Sequence, residues 1–559
     1  MAAVEGVLER IRPQIAEADF DLVSRLVTTV SFVMAVVRGQ RAIISRLRRI
    51  FGLSSSEKTD SVLGNQRGPE GEASRGGTPP AGADSGTSPS APEPSVPGEG
   101  AASAPAKGHG RVPADAYANA TRFPVAHDSL THGCRCPDCR GGNLYDLEPA
   151  SIVRIVGQPT LAALRWDIER LRCGTCGKVF TAKAPQEAQG PKFDETAVSM
   201  LALCHYDAGL PLNRIERLQQ NLQTPIPAST QWDVLDERAP TFKPVFDEMA
   251  RQAAQGQVVH DDDTFVRILA LMGKRRAELL KKGELPNPER TGLFTTAIVS
   301  ITDGDPIALF YTGRKYAGEN LADLLKVRHT DLEPPILMCD ALDSRNLPKS
   351  HTVIESNCAA HARRGFVDQV VNFPADCKHV LEELRKIFVV DAQCQTAGLS
   401  PEERLRVHQR DSGPVMEALH TWMSNELATK RVEPNSGLGH AYNYMLKRWH
   451  KFTLFLRKAG APIDNNIAER TLKKAICHRR NSLFYRSEHG AQVGDMFMSL
   501  IHTAQLRGAN PFDFLTELQR HAKAAAQSPA DWLPWTYRET LARQGQPKTA
   551  PSTSMPSRQ

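Results

Sequence analysis

The 559-residue sequence lacks a long hydrophobic run. The longest near the N-terminus, Leu26 to Val37, is enclosed by Arg25 and Arg38 and is too short to span a bilayer. Acidic residues precede it and no small-residue cleavage site comes after it, so it does not read as a secretory signal, and a cytoplasmic location is expected. Charge of one sign is also scarce: a formal net charge of +6 is small for this length, so any nucleic-acid role must rest on local basic clusters. The 11 cysteines are an odd number, and Cys204, Cys339 and Cys477 stand singly among apolar residues, which argues against a disulfide framework. The length itself excludes one ordinary domain and implies several modules.

Apolar residues recur at Leu26, Val30, Val33, Val37, Ile44, Leu47 and Phe51, in steps of four and three with one miss at Gln40. That seam predicts a coiled-coil dimerisation helix over 1–53, with a simple amphipathic helix as the alternative. Residues 54–115 are dominated by Gly, Pro and Ser, cannot bury a core, and read as a disordered linker. In 125–185, "CRCPDC" and "RCGTCG" each hold a Cys-x-x-Cys knuckle. Cys136, Cys139, Cys173 and Cys176 would give tetrahedral Zn²⁺ four thiolates, with about thirty residues between the knuckles for a short hairpin; Cys134 could replace one of them. From 190 to 240 the pattern is helical, broken at Gly209 and Pro211, with Ser229 or Thr230 able to cap a second helix. A helix-turn-helix or an ordinary helical hairpin both fit.

The centre changes period. "GQVVHDDDTFVRIL", "LFTTAIVSITDGDPIALFYTGR" and "PPILMCDAL" read as strands, and "TGRKYAGENLADLLKVR" as a crossover helix that would make the last pair parallel. From Ala341 to Phe455 nearly everything reads as helix. Strands followed by helices imply an α/β core carrying a helical part.

Asp262 lies within one strand and Asp340 closes another, and a carboxylate in such a place needs a partner, for which a divalent cation is suited. In "PIDNNIAERTLKKAICHRR", Asp464 reads as a helix cap, and Glu469 lies on the first turns of the helix, where an ion pair with Lys473 is the ordinary reading. From Arg470 to Arg486 there are Arg470, Lys473, Lys474, Arg479, Arg480 and Arg486 and no acid, which suits phosphate-backbone contact.

"HDDDTFVRIL", "CAAHARRGF", "PIDNNIAERTLKKA", "RRNSLFYRSEHGA" and "SLIHTAQLRGANPFDFL", in this order, resemble the DDE transposases of the insertion sequence 66 family. The resemblance covers most of the chain outside the linker and the tail. It implies an RNase H-like α/β core over 255–490 with a helical insertion at about 345–455, then a C-terminal helical segment at 495–540 and a disordered tail at 541–559. It implies Asp262, Asp340 and Glu469 as catalytic ligands of Mg²⁺ or Mn²⁺, with Asp261 or Asp263 as register alternatives to the first and Asp343 to the second. This chain has Asp263 where the family usually has Glu. Cys358 and His361 match the Cys-x-x-His motif of related transposases as accessory candidates, and Arg363 and Arg364 beside them are DNA-contact candidates.

The expected function is therefore a bacterial insertion-sequence transposase that binds the terminal inverted repeats of its element, then cleaves and transfers strands into target DNA. A homodimer or higher oligomer and accessory proteins of the same element are the expected partners. The competing expectation is an inactive or domesticated relative that only binds DNA through its zinc and helical modules.

Overall fold

The computed structural model describes residues 20, 132–135, 143, 160–172, 179–285, 287–340 and 353–545. The coiled-coil and linker expectations, the four zinc-candidate cysteines and Asp343 lie outside the described residues. Within 69–159 the described part is a single antiparallel bridge, Arg135 to Asn143. The helices and strands of the described residues belong to the other unit, which contains residues 160 to the end.

A short antiparallel hairpin, β1 (Arg170–Arg172) and β2 (Val179–Thr181), precedes three helices, α1 (Glu195–Ala202), α2 (Leu212–Asn221) and α3 (Ala228–Ala253). Asp194 caps α1 by accepting the Ala197 amide at 2.8 Å. The Ser229 and Thr230 caps do not form, because α3 already begins at Ala228 after Pro227, a residue fixed in extended backbone. Leu235, Phe242, Val245 and Met249 run along one side of α3 and are fully buried, so this helix is a wall of the main core.

The sheet is built from β3 (Val258–Phe265), β4 (Phe294–Thr302), β5 (Asp305–Gly313), β6 (Ile336–Cys339) and β7 (Ile354–Asn357), in the spatial order β5-β4-β3-β6-β7. The first three are antiparallel neighbours, while β6 lies parallel to β3 and β7 parallel to β6. Asp303 and Gly304, at φ 50° and 88°, turn β4 into β5. Two positive φ values in a two-residue loop are the hairpin twist that Asp-Gly provides. The crossover helix α4 (Ala317–Leu325) exists as expected, but it carries the chain past two strands. β6 points the same way as β5 yet pairs with β3, because β3 is the strand with an open side.

The long stretch expected to be helical contains the strand β7, followed by α5 (Ala359–Val367) and longer helices at Pro374–Thr396, Gly413–Ala428 and Gly437–Leu446. Their buried Phe366, Leu384, Met423 and Tyr442 form a second core that reaches Val258 and Ile336 of the sheet. Helix α6 (Asn466–Ser482) then returns across the sheet, and α7 (Glu488–Leu506) covers its edge. Thr503 accepts the Ala308 amide at 3.0 Å, Ser499 the Phe310 amide at 2.9 Å and Asp495 the Thr312 amide at 2.6 Å. Side chains four apart on a helix thus meet amides two apart on the edge strand β5, filling the positions another strand would take. A last helix, Tyr537–Gly545, carries regular structure beyond 541, where a disordered tail was expected to begin. Among the described residues no helix is long and apolar enough to cross a membrane.

Candidate active site

Strand parity separates the three consecutive acids of β3. Val258 pairs with Ile336 and His260 with Met338, so the same register, two residues on, sets Asp262 beside Asp340 at the end of β6. Helix α6 passes over that same face, and its first turn brings Glu469. Asp263 points the other way. It accepts the Thr296 hydroxyl at 2.6 Å and the Ala317 amide at the start of α4 at 2.9 Å, a helix N-terminus that favours a carboxylate. Asp261 is fully buried, and its carbonyl accepts Asn465 Nδ2 at 2.9 Å.

Electrostatics ties the first set together. Burial, the charge of Asp340 and that of Glu469 push the Asp262 carboxyl up to about 7, against the pull of the Asp263 amide. Burial raises Asp340 as well; His361 opposes that rise and Glu469 adds to it. Asp262 and Asp340, buried side by side with the charge of Glu469 nearby, are unfavourable in their charged forms until a cation arrives.

The loop before α6 fixes Glu469. Asn465, not Asp464, is the residue at the helix start, and it is fully buried. Its Oδ1 meets His260 Nδ1 at 3.1 Å, and its amide donates to Cys358 Sγ at 3.2 Å. Asp464 stands one residue earlier and accepts the Asn466 amide at 3.0 Å and Asn466 Nδ2 at 2.7 Å, folding the turn. Ala359 donates to Ile463 O at 2.9 Å, and Cys358 to Cys339 O at 3.0 Å, so the Cys-x-x-His segment joins β6 to the α6 entry.

Glu469 Oε1 lies 3.5 Å from His361 Nδ1, which takes the place expected of Lys473. Cys358, His361 and Glu469 offer ligand atoms within 4.8 Å of one another, the geometry of a cation site. Burial pushes the Cys358 thiol up to about 11, which keeps it protonated and weakens it as a ligand. A carboxylate such as that of Asp262, Asp340 or Glu469 is in chemical kind the harder donor, of the type that suits Mg²⁺.

The basic residues divide in two. Arg470, Lys473 and Arg480 are exposed along one stripe of α6 with Cys477, and Arg486 is exposed beyond it. Lys474 is instead half-buried against Asp207 at 2.5 Å. Arg479 donates to the Thr264 hydroxyl at 2.7 Å and to the Phe265 carbonyl, tying α6 to the end of β3. Arg363 is half-buried and Arg364 exposed on α5. Sequence reasoning missed the bracket made by Asn465 and His260, for which the paired asparagines of "PIDNNIAER" were the signal.

Known proteins define the class first: residues 192–493, which hold the sheet, the helical part and all three carboxylates, match a profile for transposases. The match covers more than half of the chain, which therefore belongs to the transposase IS66 family. Three Sinorhizobium fredii proteins are similar to it. One, named uncharacterized protein y4hP, is 26% identical over 400 residues, covering 67% of this chain and 68% of that protein. Uncharacterized protein y4jD is 30% identical over 165 residues, 29% of this chain and 31% of its own length. Uncharacterized protein y4qI is 24% identical over 352 residues, 62% of either chain.

Proposed function

We propose that this transposase is a DDE enzyme that binds the ends of its element and carries out metal-dependent strand cleavage and strand transfer on DNA. The observation that carries this is the convergence of Asp262, Asp340 and Glu469 from a strand, a strand end and a helix, with Asp262 held up to about 7 by burial and by its two neighbours. Three antiparallel strands continued by two parallel ones, with the acids on the central pair, support an RNase H-like reading of the core.

The donor set fits Mg²⁺ or Mn²⁺: hard oxygens, partly buried, and mutually repelling without a cation. When bound, such ions would supply activation of a water or 3′-hydroxyl and stabilisation of the leaving oxygen. The chain's own residues hold the frame. Asn465 locks the start of α6 to β3, His361 faces Glu469 from α5, and Asp263 with Thr296 fixes the other face of the strand end. Arg470, Lys473, Arg480 and Arg486 offer the exposed positive row along which a DNA backbone runs. Arg363 and Arg364, beside His361, extend that proposal to α5, and α2 with Arg214 and Arg217 exposed is the proposed helical reader of element ends. The zinc module of Cys136, Cys139, Cys173 and Cys176, the coiled-coil dimer and the cytoplasmic location belong to the same proposal on the strength of the sequence.

The test is plasmid cleavage in Mg²⁺ with DNA carrying the element ends. Asp262→Ala, Asp340→Ala and Glu469→Ala should each lower cleavage at least a thousandfold and leave end binding nearly intact. Cleavage retained by Glu469→Ala would remove the assignment. End binding by the wild type without any cleavage would assign the non-catalytic reading.

A further inference from the structure

The helix that brings Glu469 into the site ends in a strained turn. Leu483 sits at φ 70° and ψ −36°, and the Phe484 amide donates to the Ser482 carbonyl at 2.9 Å. This is a γ-turn of the rarer hand, and it is centred on a leucine, which disfavours positive φ. The surroundings hold it there. The Leu483 amide donates to Arg479 O at 2.8 Å, and the buried Tyr485 is clamped by its amide to Arg267 O at 2.8 Å and by its carbonyl to the Leu269 amide at 2.9 Å.

What the turn achieves is exposure. Leu483 is 58% and Phe484 44% exposed, and Phe265, where β3 ends, is 69% exposed. Arg479, one helical turn before the tip, binds the Phe265 carbonyl, so these side chains stand at the end of the strand that carries Asp262. Arg480 and Arg486 are exposed on either side of the tip.

A ring and an aliphatic side chain held out of the core, flanked by guanidinium groups, match a ligand that is apolar on its faces and anionic on its thread. Paired duplex DNA offers the charge but hides its base faces; an unpaired nucleotide offers both. Backbone strain persisting at the end of the helix that carries Glu469 is consistent with a working surface.

We propose that Leu483 and Phe484 form a stacking seat for an unpaired nucleotide at a DNA end, where the strand that carries Asp262 comes to its end. The inference rests on the reading of this chain as an enzyme acting on DNA, and it adds the state in which the end is held.

Fluorescence anisotropy of the full-length protein in Ca²⁺, with two labelled probes of one sequence, tests it. One probe is a blunt duplex; the other ends in a three-nucleotide single-stranded fork. The wild type should bind the fork about tenfold more tightly. Phe484→Ala should bind both probes alike at the wild-type blunt affinity, while Phe484→Trp keeps the preference. If Phe484→Ala does not fold, Phe484→Leu, which keeps apolar bulk without a ring, carries the same expectation. A wild type without fork preference, or a Phe484→Ala protein that keeps it, overturns the seat and leaves the enzyme reading standing. A wild type that binds neither probe overturns both.

Discussion

The two ends of helix α6 are built on opposite terms. At its start, Asn465 is fully buried and its side chain and amide are satisfied by His260, Asp261 and Cys358. At its finish, Leu483 is strained and, with Phe484, faces solvent. The buried end fixes one carboxylate against two others. The exposed end gives up favourable backbone geometry to hold apolar groups where a ligand can reach them. On the proposed function, one helix thus separates two requirements of a DNA-cutting site, rigid placement of acids and an accessible surface for the polymer.

That contrast can be broken most severely at the buried end. Asn465→Ala removes partners from His260 Nδ1 and from the Asp261 carbonyl, and is expected to cost about 3 kcal/mol in urea denaturation. An unchanged midpoint would mean that the start of α6 is no more constrained than its finish.

Next comes Asp262→Asn. The folded carboxyl, at about 7, lies above its ordinary 3.8, so its contribution to stability is complete at low pH and is lost as pH rises between those two values. Metal-free Asp262→Asn should therefore melt with the wild type near pH 4 and a few degrees above it beyond pH 7. Millimolar Mg²⁺ should close the gap by stabilising the charged wild-type cluster. A gap that widens towards acid would refute the electrostatic account.

At the exposed end, Leu483→Gly releases the strain and should raise stability by about 1 kcal/mol, with blunt-duplex binding unchanged. A loss of stability would show that the turn is packed after all. The smallest effect separates neighbours on the helix. Lys473→Ala should reduce the slope of log affinity against log salt by about 1. Lys474→Ala, whose side chain pairs with Asp207, should leave that slope alone.

The strands with dense β-branched residues could be read along the chain, because each is signalled within a dozen residues, while the three carboxylates were singled out as a set only through the family resemblance. What escaped depended on distant partners. β7 has only four residues and mixed polarity, and becomes a strand by lying beside β6. Asp262 and Asp263 are alike in sequence and part only when Thr296 and the α4 amide claim one of them. Lys474 read as a member of the same basic run as its neighbours, since Asp207 lies 267 residues away. Asn465 escaped notice because its partner His260 is 205 residues distant.

The covering of β5 by α7 sets a clock on synthesis. Ala308 waits for Thr503, 195 residues later, before its edge is closed. At about 5–20 residues per second, a nascent chain presents that bare strand edge for roughly 10–40 s. The interval falls while the helical insertion is being made, so the half-built sheet must stay clear of neighbouring chains until nearly the whole protein has left the ribosome.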